Sequence, residues 1–200
     1  MSFFRKIFGS SSEDETDEKQ VSYNDLFQEN SINIDEKFTS FFKKNGGKFI
    51  YCDTLNEIKE QFLNILEEND WFECETMCFE QKLFAMLDEN KLSYTNVQNP
   101  KFLFSTCESL VAEEGSVLFS SNQIKQYKPN NLPENIVIFA TTNQIVDTKS
   151  DGLRQIKNKY NTDYPTNITT IKYFEKVKED DFLHYGSSPK NLYLLLLENQ

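Results

Sequence analysis

Residues 135–142 read NIVIFATT, and this run decides the fold. Its apolar side chains fill successive positions, which is typical of a strand that is covered on both faces. Residues 192–197, LYLLLL, have the same character. Such strands belong to parallel sheets with helices on either side. The sequence therefore predicts an α/β protein, built as a three-layer sandwich with a mostly parallel sheet.

The sequence around this run alternates between strand and helix patterns. Lys48–Cys52, KFIYC, predicts a strand, and Thr54 with Glu57 predicts a capping box that opens a helix. The core positions predicted for that helix are Leu55, Ile58, Phe62, Ile65 and Leu66. Another helix is predicted from Asp35, with Phe38, Phe41 and Phe42 on one face and a stop at Gly46 and Gly47. Other strands are predicted at residues 73–78, 167–173 and 191–197, and other helices at residues 82–87 and 151–160.

The composition limits the class of protein. A chain of 200 residues can form one domain with one substantial core. The formal net charge of −11 and the lack of a basic cluster argue against a nucleic-acid partner. No apolar stretch approaches the ~20 residues of a membrane span, and the start of the chain lacks the features of a secretory signal. We therefore expect a cytoplasmic protein without a transmembrane segment.

The amino-terminal region differs from the remainder of the chain. Residues 9–20, GSSSEDETDEKQ, are small, polar and acidic, so residues 1–30 are predicted to be disordered and residues 31–200 to form the folded domain. Residues 1–8 carry phenylalanines around Arg5 and Lys6. They form either a short amphipathic segment that docks on a partner or a membrane surface, or a frayed terminus.

The cysteines do not suggest a metal centre. Cys52, Cys74, Cys78 and Cys107 are scattered, and His184 is the single histidine. This set matches neither a zinc site nor an iron–sulfur cluster, so we predict reduced thiols that pack in the core and no metal or cofactor bound by this chain.

An acidic glycine turn stands out in residues 107–124, CESLVAEEGSVLFSSNQI. Two apolar strands meet there at Gly115, which places Glu113 and Ser116 at the rim of a sheet. Glu113 could orient a ligand hydroxyl or act as a base, and the N–H groups around Gly115 and Ser116 could hold a carboxylate or phosphate. The alternative is an ordinary turn with solvated carboxylates.

Three segments occur in an order that resembles a known family. They are AEEGSVLFSS at residues 112–121, NLPENIVIFATTNQIV at residues 131–146 and GSSPKNLYLLLLE at residues 186–198. Together they resemble the LUD domain, in particular lactate-utilisation protein C. Glu114 stands where that family usually has threonine, and Ser187 and Ser188 replace its His-Gly pair before Pro189. The chain is therefore identified as a divergent member.

The resemblance implies both a fold and a role. The fold would be similar to that of ribose-5-phosphate isomerase, glucosamine-6-phosphate isomerase and CoA-transferases. The role would be that of an accessory subunit in the oxidation of lactate to pyruvate, beside partner proteins that carry the iron–sulfur clusters. A small organic acid would bind at Glu113, Gly115, Ser116 and Pro189. The alternatives are an isomerase-like or transferase-like domain with Glu113 as its carboxylate, or a scaffold that has lost its chemistry.

Overall fold

The computed structural model describes residues 33–174 and 190–199. Its helices are α1 (Ile34–Lys44), α2 (Leu55–Asn69), α3 (Phe84–Glu89), α4 (Ser121–Ile124) and α5 (Lys149–Tyr160). Its strands are β1 (Lys48–Cys52), β2 (Thr76–Met77), β3 (Phe102–Ser105), β4 (Ser109–Val111), β5 (Ser116–Ser120), β6 (Asn135–Thr141), β7 (Ile145–Val146), β8 (Ile168–Ile171) and β9 (Asn191–Leu197). Short 3-10 turns cover Gln81–Leu83, Pro129–Asn131 and Thr142–Gln144.

A parallel sheet forms the centre of the molecule. Its strand order is β1-β9-β6-β3-β2, and every neighbouring pair runs parallel. The apolar runs that predicted this sheet are its middle strands, β6 and β9, whose inner residues other than Phe139 are buried. The predicted α/β class and the mostly parallel sheet are confirmed.

Different elements pack on the two faces of the parallel sheet. One face packs on α2 and α3 in a cluster that contains Phe62, Trp71, Phe104 and Leu195. Trp71 stacks on Phe102 with ring centroids 4.8 Å apart. The other face packs on α1 and on a second sheet, so that helices and strands share this layer.

The second sheet is smaller and was not part of the prediction. Its order is β7-β4-β5-β8, with antiparallel β4–β5 and β5–β8 pairs. Helix α5 covers its outer face, where Ile156 packs with Val111 and Leu118. The strands predicted on either side of Gly115 therefore exist, and they belong to this sheet.

The chain crosses from the parallel sheet to the second sheet twice. Residues 106–108 join β3 to β4, and Thr142–Gln144 joins β6 to β7. The side-chain amide of Gln144 donates to the carbonyl of Cys107 at 2.7 Å. This hydrogen bond fastens the two crossings to each other.

Several local predictions require correction. Thr54 caps α2 as expected, but the carboxylate of Glu57 accepts from the N–H of Asp53 at 2.8 Å. Leu55 and Phe41 are predicted in the core, yet they are 58% and 38% exposed. Leu55 is the first residue of its helix, and Phe41 lies at the margin of the buried face of α1. The strand predicted at residues 73–78 is reduced to Thr76–Met77, since Glu73 has the left-handed φ of 52°.

Some predictions fall on residues that the structure does not describe. These are the segment of residues 1–30, the docking of residues 1–8, His184 and Pro189. The boundary near residue 30 therefore stays a prediction. Across residues 33–174 and 190–199, no helix combines the length and apolar character that a membrane crossing requires. The cytoplasmic location likewise stays a prediction.

Candidate functional site

A cavity of about 620 Å³ opens where β3 and β6 end. Both crossings between the sheets line it, together with Lys159 and Tyr160 from the last turn of α5. In open parallel sheets, ligands bind outside the carboxyl ends of the strands. The position and size of this cavity make it the candidate site.

Glu108 carries the densest set of hydrogen bonds in the cavity. Its side chain is 1% exposed. One carboxylate oxygen accepts from the Ser120 hydroxyl at 2.7 Å, the Gln123 amide at 2.9 Å and the Tyr160 hydroxyl at 2.7 Å. The other accepts from the Lys159 ammonium at 2.8 Å. A buried carboxylate is stable only with such partners, and Glu108 has four.

These contacts determine the protonation states of Glu108 and Lys159. Burial alone would raise the pKa of Glu108, but hydrogen bonds from Lys159, Ser120, Gln123 and Tyr160 outweigh it and hold that pKa below its ordinary value. Burial alone would lower the pKa of Lys159, but its bond to Glu108 outweighs it and raises that pKa. Both groups are therefore charged at neutral pH.

Local helix chemistry brings these donors together. Ser120 is the N-cap of α4, and it forms a capping box with Gln123. The same two side chains also donate to Glu108. Lys159 lies in the last turn of α5, where the helix dipole favours a cation.

A second carboxylate, Glu80, lies at the end of β3. One of its oxygens accepts from the Thr106 N–H at 2.6 Å and the Ser105 hydroxyl at 3.0 Å. The other accepts from the Thr106 hydroxyl at 2.6 Å and contacts the Lys82 ammonium at 3.2 Å. Glu80 thus provides the hydrogen-bond acceptor for the Thr106 N–H, at the point where the chain leaves β3.

The remaining wall combines amides and hydroxyls with the apolar side chains of Leu83, Phe139 and Ala140. Gln144 accepts from the N–H of Thr141 at 2.9 Å and contributes its amide to the wall. Cys107 is also in the lining, but burial raises the pKa of its thiol well above the ordinary range. This thiol is a packing group rather than a thiolate nucleophile. The site is suited to holding a small polar ligand through charged and neutral hydrogen bonds.

The residues predicted from the glycine turn lie elsewhere. None of Glu113, Gly115 and Ser116 lines the cavity. Glu113 is exposed and accepts from the N–H of Lys149, at the start of α5, at 2.9 Å. Ser116 is fully buried, and its hydroxyl donates to the carboxylate of Glu114 at 3.2 Å. Their role in ligand binding stays a prediction.

The structure gives the turn a packing role. The side-chain amide of Asn45 donates to the carbonyl of Glu114 at 2.7 Å and contacts that of Gly115 at 3.2 Å. Gly115 has a φ of 59°, and a Cβ built on it would lie 2.3 Å from backbone atoms of Phe41 and Phe42. Glycine is therefore required where the β4–β5 hairpin meets the end of α1.

The sequence reasoning missed Glu80 and Glu108. Glu108 interrupts the apolar run of residues 102–112, and a charge in such a run is the signal that could have revealed it. Its lysine and tyrosine partners lie 51 and 52 positions away, so no local pattern indicates the pairing.

The thiols show no metal site. Within the described part of the chain, no group of three or more histidine, cysteine or acidic residues could hold a metal ion. All four cysteines are free. Burial raises the pKa of Cys78 to about 11, in agreement with a packing role.

Comparison with known proteins gives two matches. The family model described as LUD domain matches residues 76–197, more than half of the chain. The crystal structure of a DUF162 family protein from Deinococcus radiodurans superimposes with a TM-score of 0.60 and 9% sequence identity, covering 83% of this chain and 96% of the other. At that identity the likeness shows a shared fold. No curated protein matches the chain by sequence.

Proposed function

Because the chain belongs to the LUD domain family, we propose that it is an accessory subunit in the oxidation of lactate to pyruvate. In this role it binds a small organic acid, and partner proteins carry the iron–sulfur clusters. The oxidation releases two electrons and two protons, and the partners' clusters accept the electrons. The cytoplasm is the proposed location.

One observation carries the binding part of the proposal. The ammonium of Lys159 lies at the cavity and is held there by the buried carboxylate of Glu108. A lysine ammonium has three N–H donors, and Glu108 takes one of them. Tyr160 also lies beside this ammonium. A remaining N–H suits the carboxylate of an organic acid, because charge-assisted hydrogen bonds are the stronger kind.

The surrounding groups complete a site for a hydroxy acid. Asn143 lines the same cavity and offers its side-chain N–H groups to a ligand hydroxyl, whereas the Gln144 amide is engaged with Thr141 and Cys107. Glu108 is a positioning residue, since its oxygens are already occupied by four donors. Its low pKa makes it a poor proton acceptor and a good anchor for Lys159.

Calorimetric titration with L-lactate tests the binding role. Lys159→Met should weaken binding about tenfold or more, because a hydrogen bond to a charged group contributes about 1.5–3 kcal/mol. Lys157→Met is the matched control, since Lys157 is on the same helix, is exposed and does not line the cavity. Equal affinity of the wild-type protein and Lys159→Met, or no binding of lactate at all, would refute this role.

The accessory role needs a separate experiment. Expression with the products of neighbouring genes should recover a complex that contains iron–sulfur proteins and reduces an acceptor when lactate is added. Glu113→Gln should leave folding intact and lower this electron transfer. Unchanged turnover would remove Glu113 from the mechanism, and failure of the proteins to co-elute would remove the accessory role.

A second candidate is an isomerase-like or transferase-like activity. The carboxylate of Glu80, whose side chain is 11% exposed, also faces this cavity, and a carboxylate in such a position can serve proton transfer. Incubation of the protein with ribose 5-phosphate, followed by NMR, tests the isomerase form. Conversion that is lost in Glu80→Gln would favour this candidate over the accessory role.

A further inference from the structure

Two lysines on the cavity wall share one arrangement. Lys82 contacts Glu80 at 3.2 Å, with side chains 65% and 11% exposed. Lys159 contacts Glu108 at 2.8 Å, with side chains 59% and 1% exposed. In both pairs a carboxylate that is mostly or fully shielded from solvent contacts an exposed ammonium group.

The two pairs come from different layers of the fold. Lys82 lies in the turn Gln81–Leu83, directly before α3, in the helical layer that covers one face of the parallel sheet. Lys159 lies at the end of α5, which covers the outer face of the second sheet. Both line the same cavity, so two different layers of the fold each offer it one ammonium group.

The lysines are not the only groups that compensate the negative charges of Glu80 and Glu108. Glu80 also accepts from the N–H and hydroxyl of Thr106, and Glu108 from three neutral side chains. These donors already compensate much of the buried charge. Each ammonium has three N–H donors and keeps some of them for a ligand.

The volume of the cavity exceeds the needs of lactate. One water molecule takes up about 30 Å³ of liquid, so an acid the size of lactate, equal to roughly four or five waters, fills roughly 150 Å³. The cavity measures about 620 Å³. A single acid of that size therefore fills only about a quarter of the cavity.

The geometry points to a ligand with two separated anionic groups, one bound by Lys82 and the other by Lys159. The ligand class is a small hydroxy acid with a second carboxylate or a phosphate. The inference rests on the proposed function, because it concerns the same cavity, and it predicts that lactate occupies only the half of the site near Lys159.

Calorimetric titration of the full chain tests this inference with L-lactate, L-malate and 3-phospho-D-glycerate as probes. At least one dianionic probe should bind about tenfold more tightly than lactate. Lys82→Met should weaken that dianion about tenfold and change lactate affinity less than twofold, whereas Lys159→Met should weaken both. Lys157→Met should change neither. If Lys82→Met does not fold, Lys82→Gln replaces it, and Lys82→Arg should restore dianion binding.

The outcomes separate the two proposals. Binding of lactate with no advantage for either dianion, or no effect of the Lys82 substitution, would overturn the two-anion site and leave the proposed function standing. Dianion binding that needs both lysines, without lactate binding, would support the two-anion site and remove lactate from the proposed function. No binding of any probe would overturn both. Comparison of malate with phosphoglycerate identifies the second anionic group.

Discussion

The glycine turn allows a sharp test of its packing role. In Gly115→Ala, the new Cβ would lie 2.3 Å from backbone atoms of Phe41 and Phe42 and 2.7 Å from the Cβ of Phe41. Ordinary contact begins near 3.4 Å, so the hairpin or the end of α1 must move by about 1 Å. Alanine must also adopt the left-handed φ of 59°.

Backbone strain and overpacking together determine how much Gly115→Ala destabilises the protein. A left-handed conformation costs a non-glycine residue about 1–2 kcal/mol. Overpacking of a closed contact costs about 1–3 kcal/mol more. Gly115→Ala should therefore lower the free energy of unfolding by about 2–5 kcal/mol.

Urea unfolding followed by tryptophan fluorescence measures this effect. Trp71 is the single tryptophan, is 7% exposed and stacks on Phe102, so its emission should report loss of the core. Gly46→Ala is the control, because Gly46 is half-buried and has a φ of 85°. It should cost only about 1–2 kcal/mol. Equal losses in the two variants would refute the argument that the turn is packed against α1.

The remaining predictions concern charge, thiols and a helix cap. Glu108→Gln should destabilise the protein by about 1–3 kcal/mol at pH 7. Because the pKa of Glu108 is lowered on folding, its stabilisation is full above its ordinary value of 4.5 and lost as pH falls below it, so wild type and variant should converge in acid denaturation curves. A thiol reagent at pH 8 should modify Cys107 only after unfolding, since burial raises its pKa; rapid labelling in the native state would contradict this. Thr54→Ala should cost about 1 kcal/mol in urea unfolding through loss of the α2 cap, and no loss would show that the cap contributes nothing.

Sequence patterns predicted those parts of the fold that depend on local periodicity. The apolar runs of β6 and β9 predicted buried parallel strands because side chains of that character must be covered on both faces. The second sheet was not predictable in this way. Strand β5 pairs with β8 about fifty residues further along the chain, and no local pattern encodes such a partner.

The candidate site was harder to predict for the same reason. The glycine turn drew attention because its acidic residues are adjacent in sequence, and the structure packs that turn on α1. The cavity is instead assembled from Glu80, Glu108 and Lys159, which lie far apart in the chain. The role of a buried carboxylate such as Glu108 can be assigned only when the groups that donate hydrogen bonds to it are known.

The two crossings between the sheets have a mechanical consequence. Residues 106–108 and Thr142–Gln144 connect the two sheets, residues from both connections line the cavity, and Gln144 joins them through its hydrogen bond to Cys107. Any sliding of one sheet over the other must therefore deform the cavity. A bound ligand should for this reason restrict the motion of the two sheets relative to each other. In hydrogen-exchange measurements, we expect occupancy of the cavity to slow exchange at the amides of Thr106 and Glu108 and along the strands that continue from them.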